Sequence, residues 1–207
     1  MPGTLLPHEI LTELTGAARR IVGEVVACDD EGAFATNGAG PALYIVEHSL
    51  DATVLGLLIG RRLVPQDSLE ELGAGLFLQD IGKLALPPSL VHKPGPLAPD
   101  EWELMMQHPL LGLEFLRDDT IPARAKSVVR FHHERWNGSG YPSGLIGDEI
   151  PLFARIAAVA DVFGAVTSER FHAPAVSRGE GIDLVRAGSG SAFDPAVVDA
   201  FLDAVTR

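Results

Sequence analysis

Apolar side chains recur every three or four residues through most of the chain, which is the period of an amphipathic helix. The segments with this period are 5–27, 42–64, a stretch after Pro65 that runs to about Leu78, one that starts at Pro99, 122–134, 152–168 and 194–206. Short strands are possible only at 144–151, and the pattern over 173–191 is weaker. The periodicity therefore predicts an all-α fold without a central sheet.

A loop divides the predicted helices into two unequal parts. Residues 28–41 are rich in glycine, aspartate and asparagine, which favour turns over helix. We therefore predict an N-terminal helical appendage and loop over 1–40, followed by a helical domain over 41–207.

Composition excludes several functional classes and indicates a compartment. The formal net charge is −12, so the surface should repel nucleic-acid backbones, and we expect no nucleic-acid partner. The one cysteine, Cys28, cannot form an internal disulfide, which suits a reducing compartment. Apolar runs of the ~20 residues needed for a membrane span are absent, as is a secretory signal pattern. These features predict a cytoplasmic protein with no membrane span.

Two aspartates lie at positions where a helix with a purely structural role would not be expected to have a charged residue. Asp161 is the only ionisable residue between Arg155 and Glu169, within the run IAAVADVFGAV. A lone carboxylate in an apolar helix is costly unless it is paired or binds a metal. Asp80 likewise follows directly after an apolar run. Both carboxylates are therefore candidate metal ligands.

Four histidines strengthen this hypothesis. His48 is predicted in the middle of a helix, His108 shares a predicted helical face with Leu104, and His132 and His133 are adjacent at a helix end. Each one alone is more often a hydrogen-bonded core residue or a helix terminus. Imidazoles and carboxylates that converge from several helices are, however, the ligand set of di-iron and di-manganese sites.

Most of the chain after residue 44 resembles the HD-GYP family, a branch of the HD phosphohydrolase superfamily that hydrolyses cyclic di-GMP. The matching segments are EHSLDA (47–52), LFLQDIGKLALPPSLVHKPGPL (76–97), QHPLLGLEFL (107–116), HHERWNGSGYPSGLIGDEIPLFARIAAVADVF (132–163) and FDPAVVDAFL (193–202). The HHE…GYP block is the most specific of them. The resemblance implies that 41–207 is a helical bundle of the HD-domain type with a metal site between helices.

The resemblance also assigns roles to individual residues. The implied metal ligands are His48, Asp80, His108, His132, His133 and Asp161. They would hold one or two divalent ions, iron or manganese, with Asp80 as the bridging ligand. Lys83, implied as a catalytic residue together with Asp80, would face a substrate phosphate. The implied substrate-binding residues are Lys83, Gly140, Tyr141, Pro142 and Arg170.

Three positions depart from the family pattern. Gln79-Asp80 stands where the family has its His-Asp pair, and an amide oxygen is a poor replacement for imidazole on iron or manganese. Gly164 stands where the family has a second aspartate after Asp161. The family's Arg-Pro-Tyr segment reads Arg-Phe-His at 170–172. We therefore expect reduced activity.

The sequence accordingly predicts a metal-dependent phosphodiesterase for cyclic di-GMP or a related nucleotide. A second hypothesis is a catalytically inactive module that binds a nucleotide or a signalling partner such as a diguanylate cyclase (GGDEF) domain. A phosphohydrolase of different specificity is a third, and a purely structural helical module is a fourth. An oligomer is compatible with each of these hypotheses.

Overall fold

The structure is a computed structural model that describes residues 41–117, 121–168 and 175–206. The predicted appendage over 1–40 lies outside these residues and stays a prediction. The helices within the described part are α1 Pro41–Leu63, α2 Leu69–Leu78, α3 Pro88–Val91, α4 Pro99–Met105, α5 His108–Phe115, α6 Ala123–Phe131, α7 Leu152–Thr167, α8 Arg178–Ala187 and α9 Pro195–Val205. Short 3₁₀ turns cover Gln66–Ser68, Ile81–Ala85 and Gly147–Glu149.

The prediction of an all-α fold is confirmed. In the part of the chain that the structure describes, extended pairing is limited to two isolated bridges, Asn137 with Ile146 and Ser189 with Phe193. The possible strand at 144–151 is therefore a single bridge followed by a 3₁₀ turn. None of the helices in the described residues is both long enough and apolar enough to cross a membrane.

The apolar helix α7 lies at the centre of the domain. Its buried face joins α1, α2, α8 and α9 in one continuous core that includes Leu57, Ile156 and Phe201. A smaller core lies between α2, α5 and α6, where Leu78 and Val129 are buried. Every helix that carries a candidate metal ligand therefore packs against α7 or against a helix adjoining it.

Two features of the helices differ from the sequence prediction. The weakly patterned segment 173–191 contains α8, which begins with a capping box in which Ser177 and Glu180 bond each other's backbone N–H. The buried residues of α8 are only Gly181 and Val185, so its apolar period is too short to stand out in the sequence. The capping pair Ser177 and Glu180 was the sequence signal that could have identified the start of α8.

The predicted helical face shared by Leu104 and His108 is also wrong. Helix α4 ends at Met105, and α5 begins at His108 with Pro109 in its first turn. Proline is well tolerated there because the first backbone N–H groups of a helix have no intrahelical partner. His108 therefore lies at a helix start, where it can point toward a neighbouring segment.

A glycine brings that neighbouring segment close. Gly82, two residues after Asp80, packs against the backbone at the start of α5, and a Cβ there would collide with the carbonyl oxygen of His108. Only glycine allows this approach of two backbones. The contact places the Asp80 carboxylate beside the His108 imidazole.

Candidate metal site

The six candidate ligands converge from five parts of the chain. His48 comes from α1, Asp80 follows α2, His108 begins α5, His132 and His133 follow α6, and Asp161 lies in α7. Their ligand atoms form two groups that share Asp80, and within each group these atoms lie within 4.8 Å of one another. We call Asp80, His108, His132 and His133 the histidine-rich group, and His48, Asp80 and Asp161 the His48/Asp161 group.

The histidine-rich group has the dimensions of a metal site. The Nε2 atoms of His108 and His132 are 3.3 Å apart, and they lie 3.4 and 3.7 Å from Oδ1 of Asp80. A point equidistant from three atoms so spaced lies about 2 Å from each, close to the usual metal–nitrogen bond length. Oδ1 of Asp80 is buried and has no hydrogen-bond partner among the described residues. A cation would compensate this otherwise costly burial, so these residues fit a metal ion.

Backbone carbonyls orient the two imidazoles. Nδ1 of His108 donates to the Met105 carbonyl at 2.8 Å, and Nδ1 of His132 donates to the Val128 and Val129 carbonyls at 3.1 Å. These bonds leave each Nε2 lone pair directed at Asp80, the arrangement that metal-binding histidines commonly adopt. Burial lowers the pKa of His108 to about 3. Its ring is therefore neutral at physiological pH, as metal binding requires.

His133 connects the histidine-rich group to the GYP segment. Its ring lies 4.9 Å from the His108 ring, measured between centroids, and stacks on Tyr141 at 4.8 Å with 25° between the planes. Burial lowers the pKa of His133, and His132 lowers it further. A neutral imidazole thus lies between the other candidate ligands and the GYP segment.

The His48/Asp161 group is arranged differently, because Oδ1 of Asp161 already has protein partners. Oδ1 of Asp161 lies 2.7 Å from Nε2 of His48 and accepts a second bond, at 3.3 Å, from Nε2 of Gln79. Burial alone would raise the pKa of Asp161, but the hydrogen bond with His48 lowers it below its usual value. Gln79 is fully buried, and its Oε1 has no hydrogen-bond partner in the described part of the chain.

Lys83 contacts the other oxygen of the shared carboxylate. Its Nζ donates to Oδ2 of Asp80 at 2.7 Å, while Nε2 of His48 is 4.0 Å from that oxygen. The lysine side chain keeps 20% of its surface exposed, which leaves it at the edge of the site. Burial alone would raise the pKa of Asp80, but the Lys83 ammonium holds it well below the usual range. The structure thus places Lys83 beside the expected ligands.

The predicted substrate loop lies over the histidine pair. Gly140 packs against the backbone of 133–135, where a Cβ would lie 2.6 Å from the His133 carbonyl oxygen. The backbone N–H of Tyr141 donates to that same oxygen at 3.2 Å, and the Tyr141–Pro142 peptide bond is cis. Arg170, the remaining predicted contact, lies outside the described residues.

Glu134 is a functional candidate that the sequence reasoning missed. Its buried carboxylate accepts the backbone N–H groups of Ser143 at 2.7 Å and Leu145 at 3.1 Å. It therefore ties the loop after Pro142 to the residue directly after the two histidines. An acid placed between a histidine pair and a glycine-rich turn was the signal that could have identified it.

A family model described as the HD domain matches residues 47–197. The chain belongs to the HD domain family. Over 133 residues, 60% of its length, this HD domain is 44% identical to a probable cyclic di-GMP phosphodiesterase of Vibrio cholerae, and the match covers 30% of that relative. The chain spans less than half the length of the curated relatives that it matches.

Two solved structures have the same fold. An HDGYP protein of Bdellovibrio bacteriovorus aligns with a TM-score of 0.70 at 18% identity, covering all of this chain and 66% of its own. A cyclic GMP-AMP-specific phosphodiesterase of V. cholerae aligns with a TM-score of 0.64 at 20% identity, covering 94% of this chain and 49% of its own. At these identities the likeness shows the fold alone.

Two of the positions that depart from the family pattern, Gln79 and Gly164, lie on the same side of the candidate site. Gln79 donates to Asp161, and a Cβ on Gly164 would lie 3.7 Å from Cε1 of His48. Both positions therefore adjoin the His48/Asp161 group.

Proposed function

We propose that this HD domain is a metal-dependent phosphodiesterase that acts on cyclic di-GMP or a related cyclic dinucleotide. The observation that carries the proposal is the histidine-rich group, whose three closest ligand atoms have metal-site spacing beside the GYP loop. The 44% identity to a probable cyclic di-GMP phosphodiesterase supports the substrate class.

The chain's donors suit iron or manganese, since imidazole and carboxylate are the ligands of such sites. Asp80, His108, His132 and His133 would hold one ion, and His48, Asp80 and Asp161 would hold a second. Bound divalent ions supply Lewis-acid stabilisation of phosphoryl charge and lower the pKa of coordinated water.

The protein's own side chains would bind and orient the substrate. The net charge of −12 disfavours any phosphodiester, so local positive charge is needed, and the partly exposed Lys83 ammonium provides it. Burial, together with the Asp161 and Asp80 carboxylates, raises the pKa of Tyr141, which keeps its phenol protonated and able to donate a hydrogen bond. Arg170 stays a proposed contact to the same ligand.

The test is turnover after anaerobic loading with Mn(II) or Fe(II), assayed with cyclic di-GMP, cyclic GMP-AMP and a linear phosphodiester. We expect hydrolysis of a cyclic dinucleotide by the wild-type chain and its loss in His132→Ala. Asp199→Asn, which changes an exposed acid on α9, is the matched control. A metal-loaded wild type that hydrolyses none of these substrates would contradict the proposal.

Gln79 and Lys83 favour a second candidate, a catalytically inactive nucleotide-binding module. Both side chains donate hydrogen bonds to carboxylates that a second ion would need. Such a module would bind the nucleotide, or a partner such as a diguanylate cyclase domain, without turnover. Tight binding of cyclic di-GMP by the metal-loaded chain, with no hydrolysis over hours, would favour this candidate.

A further inference from the structure

A row of aromatic rings runs from the candidate metal ligands to solvent. His133 stacks on Tyr141, and Tyr141 meets Trp102 in an edge-to-face contact with 6.3 Å between centroids and 81° between planes. Trp102 lies in the first turn of α4 and is 48% exposed. The half-exposed indole at the end of this row leaves aromatic surface available to a ligand.

The first turn of α4 holds Trp102 in position. The carboxylate of Glu101 accepts the backbone N–H of Ala98 at 2.7 Å and the Lys93 ammonium at 2.5 Å. The backbone N–H of Trp102 donates to the Ala98 carbonyl at 2.8 Å. These bonds fasten the preceding loop to the helix that carries the indole.

We propose that Trp102 is a substrate-binding residue that stacks on a nucleobase of the cyclic dinucleotide. The inference rests on the proposed function and extends it beyond the phosphate groups. A cyclic dinucleotide whose phosphate lies at the histidine-rich group extends its bases away from that phosphate. The row of rings leads from the same group to Trp102. Because every base has a π-face, stacking adds affinity without choosing between guanine and adenine.

The test compares substitutions of Trp102 that separate aromatic stacking from apolar bulk. The metal-loaded chain is titrated with a hydrolysis-resistant phosphorothioate analogue of cyclic di-GMP, and the dissociation constant is measured by calorimetry. Trp102→Ala should weaken binding by about 5- to 150-fold, the range for loss of one stacked base. Trp102→Phe should restore most of the affinity and Trp102→Leu should not. Binding of the corresponding cyclic GMP-AMP analogue to Trp102→Ala should weaken by the same factor.

Two controls isolate the effect. Leu104→Ala removes an exposed apolar side chain two positions further along the same helix, where residues do not share a face with Trp102, and should leave binding unchanged. The dissociation constant of inorganic phosphate, which has no base, should be the same in wild type and Trp102→Ala. Retained helical circular dichroism excludes loss of folding.

The outcomes separate this inference from the proposed function. Unchanged binding in Trp102→Ala, or wild-type affinity in Trp102→Leu, overturns the stacking role even if hydrolysis is observed. Weakened binding in a chain that never hydrolyses the natural dinucleotides supports stacking and contradicts the phosphodiesterase. A wild type that does not bind cyclic dinucleotides overturns both.

Discussion

The two halves of the candidate metal site share the Asp80 carboxylate, but its two oxygens have different surroundings. On the histidine-rich side, Oδ1 of Asp80 is buried without a hydrogen-bond partner among the described residues and faces the Nε2 atoms of His108 and His132. On the His48/Asp161 side, Oδ2 of the same residue accepts a short bond from the Lys83 ammonium.

This difference shows how a protein can supply hydrogen-bond partners to a buried carboxylate from its own side chains. Around Asp161 the Gln79 amide donates to the oxygen that His48 also approaches, so this oxygen has two partners from the protein itself. Around Oδ1 of Asp80 the close groups are the imidazoles of His108 and His132, whose Nε2 lone pairs face it. We therefore expect the histidine-rich group to bind an ion more tightly than the His48/Asp161 group.

The largest effect should come from the residue that the halves have in common. Asp80→Asn replaces the shared candidate ligand, an anion, by a neutral amide, so metal content should fall below one ion per chain. Turnover should fall by at least about 100-fold, since second-shell changes alone commonly cost ~10–100-fold. Elemental analysis and initial rates measure the two effects. Retention of full metal content, compared with the exposed control Asp199→Asn, would show that Asp80 is not a ligand.

Restoring an imidazole at position 79 tests whether Gln79 is what makes the His48/Asp161 group the weaker metal site. Gln79→His should raise occupancy of the His48/Asp161 group and increase turnover about 10-fold or more, because imidazole is the better ligand for iron or manganese. Metal content and cyclic di-GMP turnover are measured after identical anaerobic loading. Gly164→Asp, alone and combined with Gln79→His, tests whether position 164 is the stronger defect. A wild type that already holds two ions and matches the histidine variant would make Gln79 a harmless substitution.

Replacing Lys83 should strengthen metal binding at the His48/Asp161 group but weaken nucleotide binding. Lys83→Met removes the ammonium from Oδ2 of Asp80, which should increase metal affinity at the His48/Asp161 group. The same change removes positive charge from the pocket edge, so the KM for the nucleotide should rise about 10-fold, the size of a charge-assisted hydrogen bond. Metal titration and steady-state kinetics report the two effects. Unchanged nucleotide binding would mean that Lys83 does not face the pocket.

The smallest effect should come from Glu134, which touches the loop and neither half of the metal site directly. Glu134→Gln leaves one oxygen to accept a backbone N–H, so about 1–3 kcal/mol of stability should be lost from the buried bond that is broken. The KM should rise by about 2- to 10-fold as the loop loosens, with metal content unchanged. Chemical denaturation and kinetics measure these changes. A fall in metal content would show that Glu134 supports the ligands instead.

Local patterns account for the parts that could be predicted from sequence. The long helices α1 and α7 start and end within one or two residues of their predicted positions, because each has a sustained apolar period and a proline at its start. Candidate ligands such as Asp161 could be recognised because an ionisable residue in an apolar helix is conspicuous in one dimension. The all-α class and the HD resemblance depend on such local features.

Contacts between distant segments decided what the sequence could not reveal. Whether Lys83 faces solvent or Asp80, which oxygen of Asp80 stays without a partner, and how Trp102 meets Tyr141 all depend on three-dimensional positions. The break between α4 and α5 was hidden because apolar residues continue across it. The sequence by itself determined the all-α class, the long helices α1 and α7, and which residues could bind a metal. Only the tertiary structure decided which oxygens and nitrogens share a site, because hydrogen bonds and metal ligation depend on distances of a few ångströms between groups far apart in the chain.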